Sequence, residues 1–169
     1  MAAPEQRGVD AENRDDFDQC RRTLIEDRIN KSMKSLLVVT SLIEAGAGVA
    51  LLAVPAFAVQ LLLGSPLDAP AAVILGRVAG VALFALGVAC WFAGGDTKSR
   101  AARGLVAGML LYNVGVAGML AMAGIQSHLT GVVLWPAVIL HAAMAFWCVA
   151  CLRASRPGPG TRIESLLDK

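Results

Sequence analysis

Apolar residues occur along this chain in four long blocks, Leu36 to Leu63, Ala71 to Gly94, Ala102 to Gly124 and Leu129 to Leu152, with almost no charged position inside them. About 20 mostly apolar helical residues cross a hydrocarbon core about 30 Å thick, so every block is long enough to span, and the first can tilt or project beyond the bilayer. Ahead of the first block the pattern becomes amphipathic. Ile25, Ile29, Met33 and Leu36 recur at helical spacing and Phe17, Cys20 and Leu24 form a neighbouring strip, with Asp15 or Asp16 placed to cap the helix. That spacing predicts a helix that lies against the membrane surface or runs straight into span one.

The connections between blocks are short. Gly64 to Pro70 holds two prolines, and Ile125 to Thr130 is tighter still, which predicts antiparallel helical hairpins. The expected architecture is all-α: a polytopic membrane protein built as an antiparallel four-transmembrane-helix bundle with an amphipathic N-terminal helix. Residues 1–35 form a cytoplasmic N-terminal segment, 36–152 the transmembrane domain with spans at about 36–63, 71–94, 102–124 and 129–152, and 153–169 a cytoplasmic tail. Arg156-Pro157-Gly158-Pro159-Gly160 breaks the fourth helix, and Thr161 and Glu164 then stand in capping-box spacing for one more short turn.

Charge adds an orientation. Arg21, Arg22, Arg28, Lys31 and Lys34 precede span one, Lys98, Arg100 and Arg103 separate spans two and three, and Arg153, Arg156, Arg162 and Lys169 follow span four, while the other two loops carry no Lys or Arg. The positive-inside rule therefore predicts a multi-pass protein of the cytoplasmic (inner) membrane with both termini cytoplasmic. The charged run ahead of span one is too long for the n-region of a removable signal peptide, so that span is expected to be retained as an anchor.

Composition agrees with the blocks: 56% of the 169 residues are hydrophobic and 17% charged, at a mean hydropathy of +0.62. A soluble domain of this size would have to bury four helices on every side, with little else to cover them. The net charge of +2 points to no partner, because residues 1–35 hold seven basic and eight acidic side chains, neither a polybasic lipid-binding tail nor a nucleic-acid arm.

Small residues suggest how the spans meet. Span two carries Gly76, Gly80, Gly87 and Gly94, and span three Gly104, Gly108, Gly115 and Gly118, so a small-xxx-small step occurs at Gly76/Gly80 and again at Gly104/Gly108. Such glycines let helix backbones approach closely, either within one chain or against another copy or a partner subunit. Gly46 and Gly48 lie in span one with Pro55 beyond them, where a local bend is expected because proline removes a helical hydrogen bond.

The polar residues inside the spans are the candidates for function. Glu44 sits about 12 Å past the cytoplasmic end of span one, at 1.5 Å per helical residue, and Tyr112, Asn113 and His141 come to a comparable depth in spans three and four. Thr40, Ser41, Ala47 and Gly48 share the face of Glu44, so an interior orientation is easy, with Asn113 or His141 as hydrogen-bond partner. This network serves either a fixed interhelical lock or proton exchange coupled to a solute. Arg77 lies about 9 Å below the outer end of span two, too far in depth to pair comfortably with Glu44. It is expected to face the interior, a wet cavity or another chain, or to snorkel outward.

Cys90, Cys148 and Cys151 form a candidate thiol site at the cytoplasmic end, with Cys148 and Cys151 in CxxC spacing. That pair stands at a helix C-terminus, partly in lipid and on the reducing side, which favours small apolar packing over redox or metal chemistry. His141 is the only histidine within a span, so a bis-histidine haem has no ligand set in one subunit. Trp91, Trp135 and Trp147 stand near the two interfaces, and Trp135-Pro136 predicts an irregularity one turn outside His141.

No phosphate loop, HExxH, nucleophile elbow or zinc framework occurs, and no cofactor or metal is implied. Three functions follow from these residues: a non-catalytic subunit or stabilising partner of a larger membrane assembly, a proton-linked small-solute transporter or channel-forming oligomer using Glu44, or a membrane-embedded redox or lipid-modifying enzyme with Glu44, His141 and Tyr112 as acid-base groups. The expected partners are the lipid bilayer and a homo-oligomer or heteromeric membrane complex, with a small solute for the transport reading and no nucleic acid.

Overall fold

The computed structural model describes residues 4–155 and contains five helices among them: α1 (Pro4–Ala53), α2 (Pro55–Leu63), α3 (Pro70–Ala93), α4 (Arg100–Gln126) and α5 (Leu134–Ala154). The capping-box turn expected around Thr161 and Glu164 lies outside the described residues. Four apolar helical stretches are long enough to cross a membrane: Gln19–Ala53, Pro70–Ala93, Arg100–Gln126 and Leu134–Ala154. Only 17% to 33% of each apolar window is buried within the chain. Leu42, Ile74, Leu75, Phe92, Leu111, Met119 and Phe146 all point outward, the reverse of a water-soluble core and the arrangement a hydrocarbon solvent favours. The protein is an all-α, polytopic membrane protein.

The N-terminal segment is not a separate amphipathic helix. α1 runs unbroken for 50 residues, about 75 Å, from the amphipathic stretch into the first span. Its start at Pro4 uses a residue suited to the first helical position, and Asp15 and Asp16 consequently lie inside the helix instead of capping it.

α1 ends where proline dictates. Pro55 cannot donate a helical hydrogen bond and restricts the residue before it, so Val54 leaves the helix at φ −136°, ψ 59° and a second, nine-residue helix begins. The bend expected within one span is thus a full break between α1 and α2. α2 closes on Gly64 at φ 72°, a left-handed conformation that suits glycine. A Cβ there would also lie 2.9 Å from the Gly131 nitrogen.

Gly131 in turn rests on the backbone of Leu62 and Leu63 with no space for a side chain, and the Val133 amide donates to the Leu61 carbonyl at 3.1 Å. This docking delays the last helix. The block predicted from Leu129 starts as a helix only at Leu134, after an irregular stretch in which His128 adopts φ 52°. At the opposite end Ser99 caps α4, its hydroxyl accepting from the Ala102 amide at 3.0 Å.

α1 packs chiefly on α3, and α4 on α5. The α1/α3 seam is made of backbone contacts. A Cβ on Gly48 would meet the Phe84 nitrogen at 2.6 Å, one on Gly80 the Gly48 oxygen at 2.8 Å, and one on Gly87 the Ala45 nitrogen at 2.8 Å. Gly94 and Leu37 continue the seam at one end, and Gly76 and Pro55 at the other, so positions fall along α3 as they rise along α1. The apolar core lies toward the end of the bundle that holds the α3–α4 connection: Met33, Leu36 and Leu37 of α1 meet Cys90, Val106, Met109, Met144, Cys148 and Cys151.

The seam separates two opposed effects of adding a methyl group. Alanine gains about 1 kcal/mol of helix propensity over glycine, whereas overpacking costs about 1–3 kcal/mol. Gly48→Ala should therefore lower the unfolding midpoint of the purified protein in mild detergent. Gly115→Ala, where nothing lies within 4 Å of the added carbon, should leave it unchanged or raise it.

Candidate functional site

The same rotation of α1 that presents Ser41, Ala45 and Gly48 to α3 turns Thr40 and Glu44 toward the other helix pair. Glu44 is 3% exposed, and Thr40 and Ser41 are buried beside it along the helix, while Ala47, expected on the same face, is exposed. The Tyr112 hydroxyl of α4 donates to Glu44 Oε2 at 3.0 Å.

Asn113, the next residue on α4, is 2% exposed and turned toward α5. Its Nδ2 donates to the Met109 carbonyl at 2.8 Å, which fixes the side-chain amide so that Oδ1 faces His141. Nδ1 of His141 lies 2.8 Å from that oxygen. An amide oxygen only accepts, so His141 carries a proton on Nδ1 in this contact. The Tyr112 and His141 rings meet edge to face, 5.8 Å between centroids at 80°, a favourable aromatic geometry.

Adjacent residues on α4 thus reach in two directions: Tyr112 to α1 and Asn113 to α5. The structure brings Glu44, Tyr112, Asn113 and His141 together, as depth along the spans suggested. The pairing differs from the expectation, because Glu44 bonds to Tyr112 while Asn113 and His141 bond to each other. Among the described residues no buried side-chain nitrogen or oxygen lacks a hydrogen-bond partner.

Arg77 is not part of this cluster. It lies exposed on α3 beside the outward-facing Ile74, Leu75 and Val78, about 10 Å from the start of that helix and within reach of the interface for a snorkelling side chain. The interior orientation considered for it does not occur.

Cys90, Cys148 and Cys151 are buried in one apolar cluster, while Cys20 is exposed. Cys151 Sγ lies 3.6 Å from Ser32 Oγ, and the Trp147 indole donates to that same hydroxyl at 3.1 Å. Trp147 therefore fastens α5 to α1, a role that its place near an interface did not suggest; the polar Ser32, just ahead of the first apolar block, was the available signal. Among the described residues no group of three or more His, Cys, Asp or Glu is arranged to hold a metal ion.

The glycines divide. Gly80 and Gly87 fill the α1/α3 seam and Gly76 contacts Pro55, but nothing lies within 4 Å of a Cβ built at Gly104, Gly108, Gly115 or Gly118. Gly48, singled out in the sequence only as part of a bend, proves to be the tightest point of the seam.

No family model matches this sequence, and no curated protein or solved structure matches it either.

Removing one member of the network should cost more than removing a pair. Tyr112→Phe is expected to destabilise the protein by about 1–3 kcal/mol through the hydrogen bond that Glu44 loses. The double variant Glu44→Leu, Tyr112→Phe should recover part of that loss, because neither partner is then left unpaired. Equilibrium unfolding in mixed micelles of the two single variants and the double variant measures the coupling directly.

Proposed function

We propose that this protein is a non-catalytic subunit or stabilising partner of a larger membrane assembly. In this reading it is an antiparallel four-helix unit of the cytoplasmic (inner) membrane with both termini cytoplasmic, the orientation supported by the alternation of Lys and Arg between connections. One observation carries the proposal: a small-residue face of the kind that joins α1 to α3 recurs on α4 with nothing against it. Gly104, Gly108, Leu111, Gly115 and Gly118 follow one another in steps of four and three residues, the repeat of a left-handed helix pair, and all of them are exposed.

Hydrocarbon solvates leucine on one helix as well as a second helix does, so close backbone contact is the main gain from association in a bilayer. Gly48, Gly80 and Gly87 realise that gain within the chain; the α4 glycines leave it for another helix. The intramembrane polar groups support the same reading. Glu44, Tyr112, Asn113 and His141 are mutually satisfied and closely packed, which suits a fixed lock between helices more than a cycle of proton exchange.

A second reading, proton-linked passage of a small solute, draws on the Tyr112–Glu44 bond, whose opening would release a carboxyl group within the bundle.

Purification of the tagged chain from native membranes in mild detergent tests the assembly. The protein should recover a membrane partner, and Gly108→Ile should lose that partner while keeping the unfolding midpoint of the parent. Recovery as a monomer, or equal partner recovery by the Gly108→Ile protein, would overturn the proposal.

A further inference from the structure

The N-terminal part of α1 presents a second unpartnered face, ahead of the apolar block that begins at Leu36. Every described side chain from Asp16 to Arg28 is exposed, including Phe17 at 70% and Leu24 at 60%. The first buried core residue of the helix among the described side chains is Met33. A lone helix with no packed face is marginal in water, because most helix stability in proteins comes from burial of an apolar face.

We infer that this segment pairs, in parallel, with the same segment of a second copy of the chain. Three features select that occupant. First, α1 continues without a break into the apolar span, so the segment stands off as an extension of that helix, with its apolar strip exposed along one side. The near balance of seven basic and eight acidic residues over 1–35 gives it no attraction to an anionic lipid surface. Second, Phe17, Cys20 and Leu24 are spaced by three and four residues, the a, d, a positions of a short, one-heptad seam that ends at Asp27 in the next d position. Third, the register places Asp16 at a g position and Arg21 at the following e position, and in two parallel helices these meet across the seam with opposite charge. Parallel alignment is imposed by the bilayer, since two copies inserted with one orientation project this helix from the same face. The pairing goes beyond docking on the α4 glycines and requires only that two copies share a membrane.

Cys20 provides the test, because it is the exposed cysteine among four, the other three being buried. Membranes holding the full chain are treated with copper phenanthroline and resolved without reductant. A disulfide-linked dimer should form with the native chain and be lost in Cys20→Ser. In the Cys20→Ser background, Phe17→Cys and Leu24→Cys should restore the dimer, several-fold more than Gln19→Cys and Glu26→Cys on the opposite side of the helix. Equal trapping at all four positions, or none at positions 17, 20 and 24, would overturn the inference. Repeating the native Cys20 reaction in the Gly108→Ile protein separates the two interfaces. A persistent cross-link assigns the pairing to α1, whereas its disappearance assigns the proximity to α4 and overturns the inference.

Discussion

Everything else in this bundle is positioned by the backbone contact between α1 and α3. In a bilayer there is little to gain from hiding leucine from lipid, so two helices hold together by how closely their backbones come. Here the approach is close enough that Gly48, Gly80 and Gly87 have no space for even a methyl group. The contact also sets the rotation of α1 about its axis. With Ser41, Ala45 and Gly48 committed to α3, Thr40 and Glu44 must face the α4/α5 pair, where Tyr112 is within hydrogen-bond reach.

α4 then links the two halves. Its consecutive residues Tyr112 and Asn113 point in directions about 100° apart, as helix geometry requires, and so bind α1 through Glu44 and α5 through His141. A second tie, Trp147 to Ser32, joins α5 to α1 nearer the α3–α4 connection, among the buried thiols and methionines. At the other end, Gly131 seated on α2 and the Val133 amide bonded to Leu61 close the bundle. The helix pairs are thus joined by polar and backbone contacts at three levels, with the apolar core concentrated at one of them.

Two faces remain outside this arrangement, and they suit different solvents. The α4 face of glycines and Leu111 is apolar and lies within a span, where small residues are the effective device for helix association. The Phe17, Cys20 and Leu24 strip lies ahead of the buried part of α1 among charged residues, where burial of apolar area in water supplies the drive. Both are helix faces whose small or apolar positions follow one another in steps of three and four residues.

Periodicity and length by themselves determined the all-α class, the four membrane-spanning stretches and an irregularity near Pro55, because a hydrocarbon core imposes a minimum apolar length and proline cannot continue a helical hydrogen-bond ladder; that the irregularity is a full break between α1 and α2 came from the structure. The depth of Glu44, Tyr112, Asn113 and His141 was legible too, since a helix rises by a constant 1.5 Å per residue. Which of them bond to each other was not: depth leaves the rotation of each helix free, and pairing Tyr112 with Glu44 depended on the α1/α3 seam. The glycines make the same point. Gly80 and Gly104 are alike as sequence, each one step of four from another glycine, yet one is filled by Gly48 and Leu51 and the other is open. Nor could local pattern decide between an amphipathic helix on the membrane surface and one that runs straight into the first span, as it does, or delay the last helix to Leu134, because the first depends on an uninterrupted backbone ladder and the second on Gly131 docking against α2. A one-dimensional pattern specifies what each helix can bury; only the packed bundle decides which face is used and which is left exposed.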